Sequence, residues 1–344
     1  MSAVASRAFD RHQARSEPGH AGASVRVRAL TAVLLIAAIV SLLAAVPGLH
    51  KVAGEIAHLD LRWLVLASAL ELASCASFVI VFRHFFTGIA ARPAREVAWT
   101  EMASGALLPG GGVGSLAVGG WLLHLLGMPT GQIVRNSSGL FFLTSAVNVA
   151  ALIGGGLLLA SGLSAGNDDI LLAGVPILIG AGAIAAALAV ARLSERHSPA
   201  LAESHWLGQL VSGIVEAKLA LRHPSWRLGG AIGYLGFDIA VLWATLSSVG
   251  YSPPLGILLL GYILGYLANL IPVPGGIGVL EAGLAGTLVL YGAPVVPAAA
   301  GVLIYHAIAF WIPSLGGLAA YRRLSSWVPT RVRDIPEPCP GDHA

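Results

Sequence analysis

The stretch Asn269-Leu-Ile-Pro-Val-Pro274-Gly275-Gly276-Ile-Gly278-Val-Leu-Glu281 interrupts a long apolar run with two prolines, three glycines and a carboxylate. Proline lacks an amide hydrogen and clashes with the preceding turn, and glycine weakens a helix interior, so a continuous helix cannot pass through. Non-helical backbone at membrane depth survives only where protein encloses it or where it lines a wet cavity, which makes this segment the first pointer to a working site. A looser copy stands upstream at Leu108-Pro109-Gly110-Gly111-Gly112-Val-Gly114-Ser115. Two such breaks in corresponding halves of one hydrophobic chain predict an internally duplicated, transporter-like architecture.

Composition places the chain in a bilayer. Of 344 residues 56% are hydrophobic and only 11% charged, whereas a soluble domain carries roughly a quarter charged residues. The mean hydropathy is +0.80. The 43 glycines suit helices that approach closely through small residues, where lipid removes the hydrophobic drive for association. Cys75 lies in an apolar segment and Cys339 in a polar tail, so no disulfide framework is implied.

Apolar runs long enough to span, about 20 residues each, occur at Ala29 to Leu49, Leu61 to Phe82, Leu140 to Leu163, Ile170 to Leu193, Leu228 to Val249 and Val295 to Ala320. Arg7, Arg11, Arg15, Arg26 and Arg28 precede the first, Arg83, Arg92 and Arg95 follow the second, and Arg322, Arg323, Arg331 and Arg333 follow the last. Arg192, Arg196, Lys218, Arg222 and Arg227 lie between the fourth and fifth. The positive-inside rule puts all these clusters and both termini in the cytoplasm, with Asp168 and Asp169 opposite. A cleaved signal peptide is the rival reading of residues 1 to 48, but no small-x-small site follows the apolar run.

Two hydrophobic regions remain, Val97 to Gly127 and Pro254 to Gly292, each split by its Pro/Gly cluster. Read as re-entrant pairs of half-helices, the first enters from the cytoplasm and the second from outside, an inversion that keeps the charge rule intact. Glu71 precedes Pro109 by nearly the same interval as Asp238 precedes Pro274, and each break is followed by a stop, Gly127-Met128-Pro129 and Gly292-Ala293-Pro294. The expected fold is an all-α integral membrane protein of about six transmembrane helices plus two re-entrant half-helix pairs in an inverted repeat, over residues 61–163 and 228–320. Residues 1–28 and 324–344 form cytoplasmic tails, the first basic and disordered. Trp206, Leu207, Leu210, Val211, Ile214 and Leu221 recur at helical spacing and predict an amphipathic interfacial connector. Trp63, Trp226, Tyr291 and Trp327 read as interfacial anchors.

A charged side chain at mid-bilayer costs about 2.5 to 3.5 kcal/mol on insertion scales, so each needs a partner or a task. Glu281 either caps the half-helix that begins there or contacts a cationic ligand group. Gly275, Gly276 and Gly278, after Pro274, allow close backbone approach, and the half-helix amides beyond would favour a phosphate; the alternative is a packing crossover. Glu71 and Asp238 are expected to be either protonated or paired with His306, Arg135 or His124; they line a path or relay protons, or else each makes one interhelical hydrogen bond. Arg135 suits a lipid phosphate or an interfacial snorkelling position. His306 is either a site residue or a satisfied interior histidine. Asn148 and Asn269 are expected to bond across helices, Asn269 supporting the break beside it. No Walker A loop, nucleophile elbow, metal-spaced Cys or His pair, or basic groove with aromatics is found, so no cofactor, metal, catalytic residue or nucleic-acid partner is expected.

The segment Pro274 to Glu281, with Asp238-Ile-Ala-Val-Leu-Trp243 before it and Tyr305-His-Ala-Ile-Ala-Phe-Trp-Ile-Pro313-Ser-Leu-Gly316 after it, resembles the lysylphosphatidylglycerol synthase transmembrane region family, also called flippase-like membrane proteins. Leu108 to Ser115, Gly120-Trp-Leu-Leu-His-Leu-Leu-Gly127 and Arg135 are similar to its first-half pattern, and the resemblance covers residues 29 to 323. It implies an integral inner-membrane protein that handles lipid or polyprenyl-linked amphiphiles. Together with the broken helices, the expected function is non-enzymatic movement of such an amphiphile between leaflets, with membrane lipids, a separate lipid-modifying enzyme or a second copy of itself as partners. The synthase activity of bifunctional relatives is not expected, since residues 324 to 344 cannot form their aminoacyl-transfer domain. Relatives often carry a Gly-Glu pair where this chain has Gly114-Ser115, and an arginine where it has His306. If those groups recognise a headgroup, either the ligand here differs or the site titrates near neutral pH. A proton-coupled carrier of a small solute and a membrane scaffold for envelope-lipid enzymes are the alternatives.

Overall fold

The computed structural model describes residues 60–108, 112–162, 170–196, 213–215, 217–218, 222, 225–270 and 278–325. Every regular element among them is helical: α1 Leu61–Phe85, α2 Ala91–Leu107, α3 Gly112–Leu125, α4 Thr130–Ala160, α5 Ile170–Arg196, α6 Gly229–Ser248, α7 Leu255–Tyr266, α8 Val279–Leu290 and α9 Val295–Ser325, with short 3-10 turns at Trp226–Leu228 and Leu267–Leu270. Five are long and apolar enough to cross a membrane, α1, α4, α5, α9 and the helix entered through Trp226. The expected span at Ala29 to Leu49 lies outside the described residues, as do Pro109, Pro274, Gly275, Gly276, Asp168, Asp169 and Trp327. Of the interfacial connector, residues 213–215, 217–218 and 222 are described, and all are helical.

Local sequence explains the boundaries. Asp60 caps α1, its Oδ1 accepting from the Arg62 amide at 2.9 Å. The two stops end their helices identically. Gly127 has φ 88° and Gly292 φ 95°, the left-handed conformation that glycine adopts without a Cβ penalty. The amides of Gly127 and Met128 return to His124 and Leu123, and those of Gly292 and Ala293 to Val289 and Leu288. Pro129 and Pro294 then offer their carbonyls to the first turns of α4 and α9. Span three starts ten residues earlier than its apolar run, at Thr130, because Gln132, Arg135 and Asn136 are good or tolerable helix residues that hydropathy alone discards.

α2 with α3 and α7 with α8 form two packed helical pairs, each joined across its Pro/Gly break. Neither member of the second pair can cross a membrane alone, since 12 residues each reach about 18 Å against roughly 30 Å of hydrocarbon. The broadest contact joins α1 to α6. They run antiparallel: Trp63 meets Trp243 edge to face, the Ser74 hydroxyl donates to the Tyr234 carbonyl at 2.9 Å, and Gly230 abuts the Ser77–Val81 backbone.

Around that axis the short helices cross over. α2 packs along α9, and α7 along α4. Both crossings pass over glycine. A Cβ on Gly317 would lie 2.5 Å from the Trp99 carbonyl oxygen, and one on Gly155 3.0 Å from Leu260. Two apolar cores follow. One surrounds α7 and α8 with Leu242, Leu246, Leu260, Leu284, Leu288 and Val302; the other surrounds α2 and α3 with Val81, Phe82, Val97, Leu122, Leu123 and Leu143. α5 packs on α4 and leaves Ile170, Leu178, Ile179 and Leu188 exposed, a face suited to lipid.

Two expectations are corrected here. Tyr291 is no interfacial anchor: it is 2% exposed and its hydroxyl donates to the Leu172 carbonyl at 3.1 Å, because the turn after α8 folds inward against α5. Asn148 is exposed on α4 with no hydrogen bond among the described residues; Asn136 makes the interhelical bond instead, its Nδ2 donating to the Phe85 carbonyl at 2.7 Å. Trp226, 74% exposed, fits an anchor.

Candidate functional site

The described part of the downstream break begins at Gly278, whose φ of 84° places it in the left-handed region. Its amide donates to Glu281 Oε2 at 2.6 Å, so the carboxylate three residues into α8 reaches back and satisfies a donor that the helix start leaves open. The other oxygen, Oε1, lies 2.6 Å from His306 Nδ1 in the middle of α9. Both side chains are largely but not wholly enclosed, 19% and 11% exposed. Capping and pairing therefore coincide in one carboxylate. The predicted phosphate preference of the α8 amides is offset, because Glu281 already occupies the Gly278 N–H and brings negative charge to the positive end of the helix dipole. With its proton, the imidazole makes a short ion pair there; the local chemistry suits cationic or hydroxyl groups better than a bare phosphate.

Tyr305, one residue before His306, turns to a second cluster. Asp238 on α6 accepts from the Tyr305 hydroxyl at 3.0 Å, through Oδ1, and from the Tyr262 hydroxyl, through Oδ2. This corrects the expected pairing of Asp238 with His306, Arg135 or His124. Those three lie elsewhere: His306 on Glu281, His124 and Arg135 on exposed positions of α3 and α4. Apolar tyrosine rings pack on each other in the interior, 6.3 Å between the centroids of Tyr262 and Tyr305, and deliver hydroxyls that neutral donors can spare without importing a second charge.

Glu71 on α1 sits across from Asp238 in the antiparallel register set by Trp63 with Trp243 and Ser74 with Tyr234. Its Oε1 receives the Cys75 thiol at 3.7 Å, and its Oε2 is buried without a hydrogen-bond partner. The structure thus joins Gly278, Glu281 and His306 in one group and Glu71 and Asp238 in another, linked by consecutive residues of α9. Gly114 lies within α3 near its start, and Arg135 in the second turn of α4; neither is among these groups. The Asn269 backbone belongs to the turn after α7, and its side chain is outside the described residues.

Sequence reasoning overlooked Tyr262, Tyr305 and Glu101. Glu101 is 7% exposed on α2, its carboxyl filling the space above Gly119 of α3, where a Cβ would collide with Oε2. A lone carboxylate inside the Val97 to Gly127 run was the signal. Among the described residues no group of three or more His, Cys, Asp or Glu side chains is arranged to hold a metal ion.

Long apolar helices, two broken pairs and carboxylates enclosed between them define a polytopic all-α membrane protein. The sequence model of the lysylphosphatidylglycerol synthase TM region matches residues 29–317, and the chain belongs to that family. Comparison with curated proteins gives no match.

Proposed function

We propose that the protein is a non-enzymatic, flippase-like transporter that moves a lipid or polyprenyl-linked amphiphile between the leaflets of the cytoplasmic membrane, both termini lying in the cytoplasm. The observation that carries this reading is the Gly278–Glu281–His306 group: a carboxyl–imidazole pair held at the start of a helix too short to cross the bilayer, beside a Pro/Gly break. A polar station there lowers the desolvation barrier that a headgroup meets in hydrocarbon, while acyl or prenyl chains remain in lipid. Membrane lipids are accordingly the partner.

The helix packing supports an inverted repeat. α1, α2, α3 and α4 correspond in order to α6, α7, α8 and α9, and the stops after α3 and α8 match. Exchanging the two sets leaves the pairings unchanged, α2 on α9 answering α7 on α4. In this reading the pairs α2–α3 and α7–α8 are re-entrant, and rocking one half against the other alternates access to Glu281 and His306. The basic clusters at Arg83, Arg92 and Arg95, at Arg227, and at Arg322 and Arg323 set the orientation.

The test is leaflet exchange of a fluorescent phospholipid in liposomes holding the purified full-length protein, read by dithionite bleaching. Bleaching beyond the outer-leaflet fraction, reduced in Glu281→Gln, is the expected result. A plateau at the outer-leaflet fraction, as in protein-free vesicles, for phospholipid and polyprenyl-phosphate probes alike, overturns the proposal.

A further inference from the structure

Glu71 of α1 and Asp238 of α6 are both buried at neighbouring levels of the antiparallel α1–α6 contact, and their oxygens are satisfied very differently. Asp238 has a tyrosine hydroxyl on each oxygen. Glu71 has only the weak thiol donor of Cys75 on Oε1, and Oε2 is buried with no partner. An ionised carboxylate is purely an acceptor, so a bare buried oxygen facing a second carboxylate lacks both a donor and a counter-charge. Among the described residues, the hydrogen bonds reaching the two groups come from Cys75, Tyr262 and Tyr305, all neutral donors.

We propose that Glu71 and Asp238 form a proton-binding site, holding one proton between them on the Glu71 side while the two tyrosine hydroxyls stabilise Asp238 as the anion.

The surrounding groups fit this and no larger ligand. Both carboxyls are closed in, Glu71 5% and Asp238 8% exposed, so no headgroup enters without displacing Tyr262 or Tyr305. A metal cation would face the hydroxyl hydrogens aimed at Asp238 and would find no third acidic, His or Cys ligand in suitable geometry among the described residues. The titratable neighbours are Cys75 on α1, Tyr234 on α6, Tyr262 and Tyr266 on α7 and Tyr305 on α9. Glu96 of α2 turns to Arg95 and Arg323, Glu101 of α2 to Gly119, and His306 of α9 to Glu281. Arg135 of α4 lies beside Asn136, which reaches Phe85, about 20 Å along α1 from Glu71.

Position gives the site a use. Resting on the transport reading above, α1 and α6 are the corresponding helices of the two halves, so sliding one past the other parts or joins the carboxyls. Joining them binds a proton; parting them releases it. A proton gradient then drives the slide without a further cofactor.

The test reads the site itself, on purified full-length protein in lipid, by infrared spectroscopy in a Glu101→Gln background that removes the buried glutamate lying outside both this site and the Arg95–Glu96–Arg323 ion pairs. The expected result is a protonated-carboxyl C=O band at neutral pH that shifts on carbon-13 labelling of glutamate and is lost in Glu71→Gln. Because the labelling needs no change at Glu71, the proposal remains testable if that variant does not fold. A spectrum with no glutamate-sensitive band overturns it, as does a band that persists undiminished in a folded Glu71→Gln variant. Leaflet exchange is measured separately on the same protein: exchange without the band removes the proton site and leaves the transport reading, whereas the band without exchange does the reverse.

Discussion

His306 Nδ1 lies 2.6 Å from Glu281 Oε1 while Glu281 Oε2 holds the Gly278 amide, so a single carboxylate ties the start of α8 to the middle of α9. Replacing it removes a charge-assisted contact and a cap together. Glu281→Ala is expected to destabilise the protein by about 3 kcal/mol, from roughly 1.5–3 for a hydrogen bond to a charged group and about 1 for the cap. His306→Phe loses only the first part, about 1.5–3 kcal/mol. Unfolding of both single variants and the double variant in detergent closes a cycle, and the double should fall short of the sum by 1 kcal/mol or more. Strict additivity would mean that the pair is not energetically coupled.

Asp238 depends on Tyr262 and Tyr305 in the same sense. Tyr305→Phe or Tyr262→Phe keeps the ring and removes one donor, leaving a buried carboxylate oxygen unmet. Each is expected to cost about 1.5–3 kcal/mol, and adding Asp238→Asn should recover part of that loss, since an uncharged amide tolerates a missing donor better than an anion does. Equal midpoints for Tyr305→Phe with and without Asp238→Asn would refute the account.

Much of this architecture was legible because it rests on local chemistry. Proline and glycine punctuate the chain at 109 to 114 and 272 to 278, Gly127 and Gly292 stop their helices, and runs of apolar residues give the long elements. That Glu281 could cap α8 was readable from its place three residues after Gly278. Partnerships between distant segments were not legible. Tyr262, Tyr305 and Asp238 stand on three different helices, and nothing in the spacing of an apolar run says which tyrosine points inward. Hydropathy also delayed the start of α4, hiding Asn136 inside a helix and directing attention to Asn148, which faces outward. Glu101 stood out as a lone carboxylate in the Val97 to Gly127 run, but its complement did not: it is the missing side chain of Gly119, and an absence has no sequence signature.

Two glycines of α8 separate packing from propensity. A Cβ on Gly283 would lie 2.5 Å from the Gly265 carbonyl oxygen and from Ala268 Cβ, where α7 and α8 touch backbone to backbone, whereas Gly286 has nothing within 4 Å. Gly283→Ala is expected to lose about 1–3 kcal/mol through overpacking. Gly286→Ala gains up to about 1 kcal/mol from helix propensity. Thermal unfolding of the two variants in the same lipid or detergent decides it, and a Gly283→Ala protein at least as stable as wild type would deny the close contact.

The crossing of α2 over α9 and of α7 over α4 carries a prediction about cooperativity. Each short helix leans on a long helix from the other end of the sequence, so neither broken pair has a complete core without the opposite half. Gly317→Val drives side-chain atoms into the Trp99 carbonyl and Ala103 Cβ, neither of which can rotate away. The expected cost is about 3 kcal/mol or more, at the upper end for overpacked sites, because backbone rather than a flexible side chain must shift. Gly155→Val meets the Leu260 side chain, which can rotate away, and Leu259 Cβ at 3.1 Å, which needs a shift of only a few tenths of an ångström; it should cost less, about 1–2 kcal/mol. Both substitutions should lower a single transition, followed in parallel by tryptophan fluorescence and by proteolysis within the loops at 86–90 and 249–254. If instead Gly317→Val loosens only the segment around α2 and α3 while α6, α7 and α8 unfold at their original midpoint, the two halves are independent and the interlocked crossing does not hold them together.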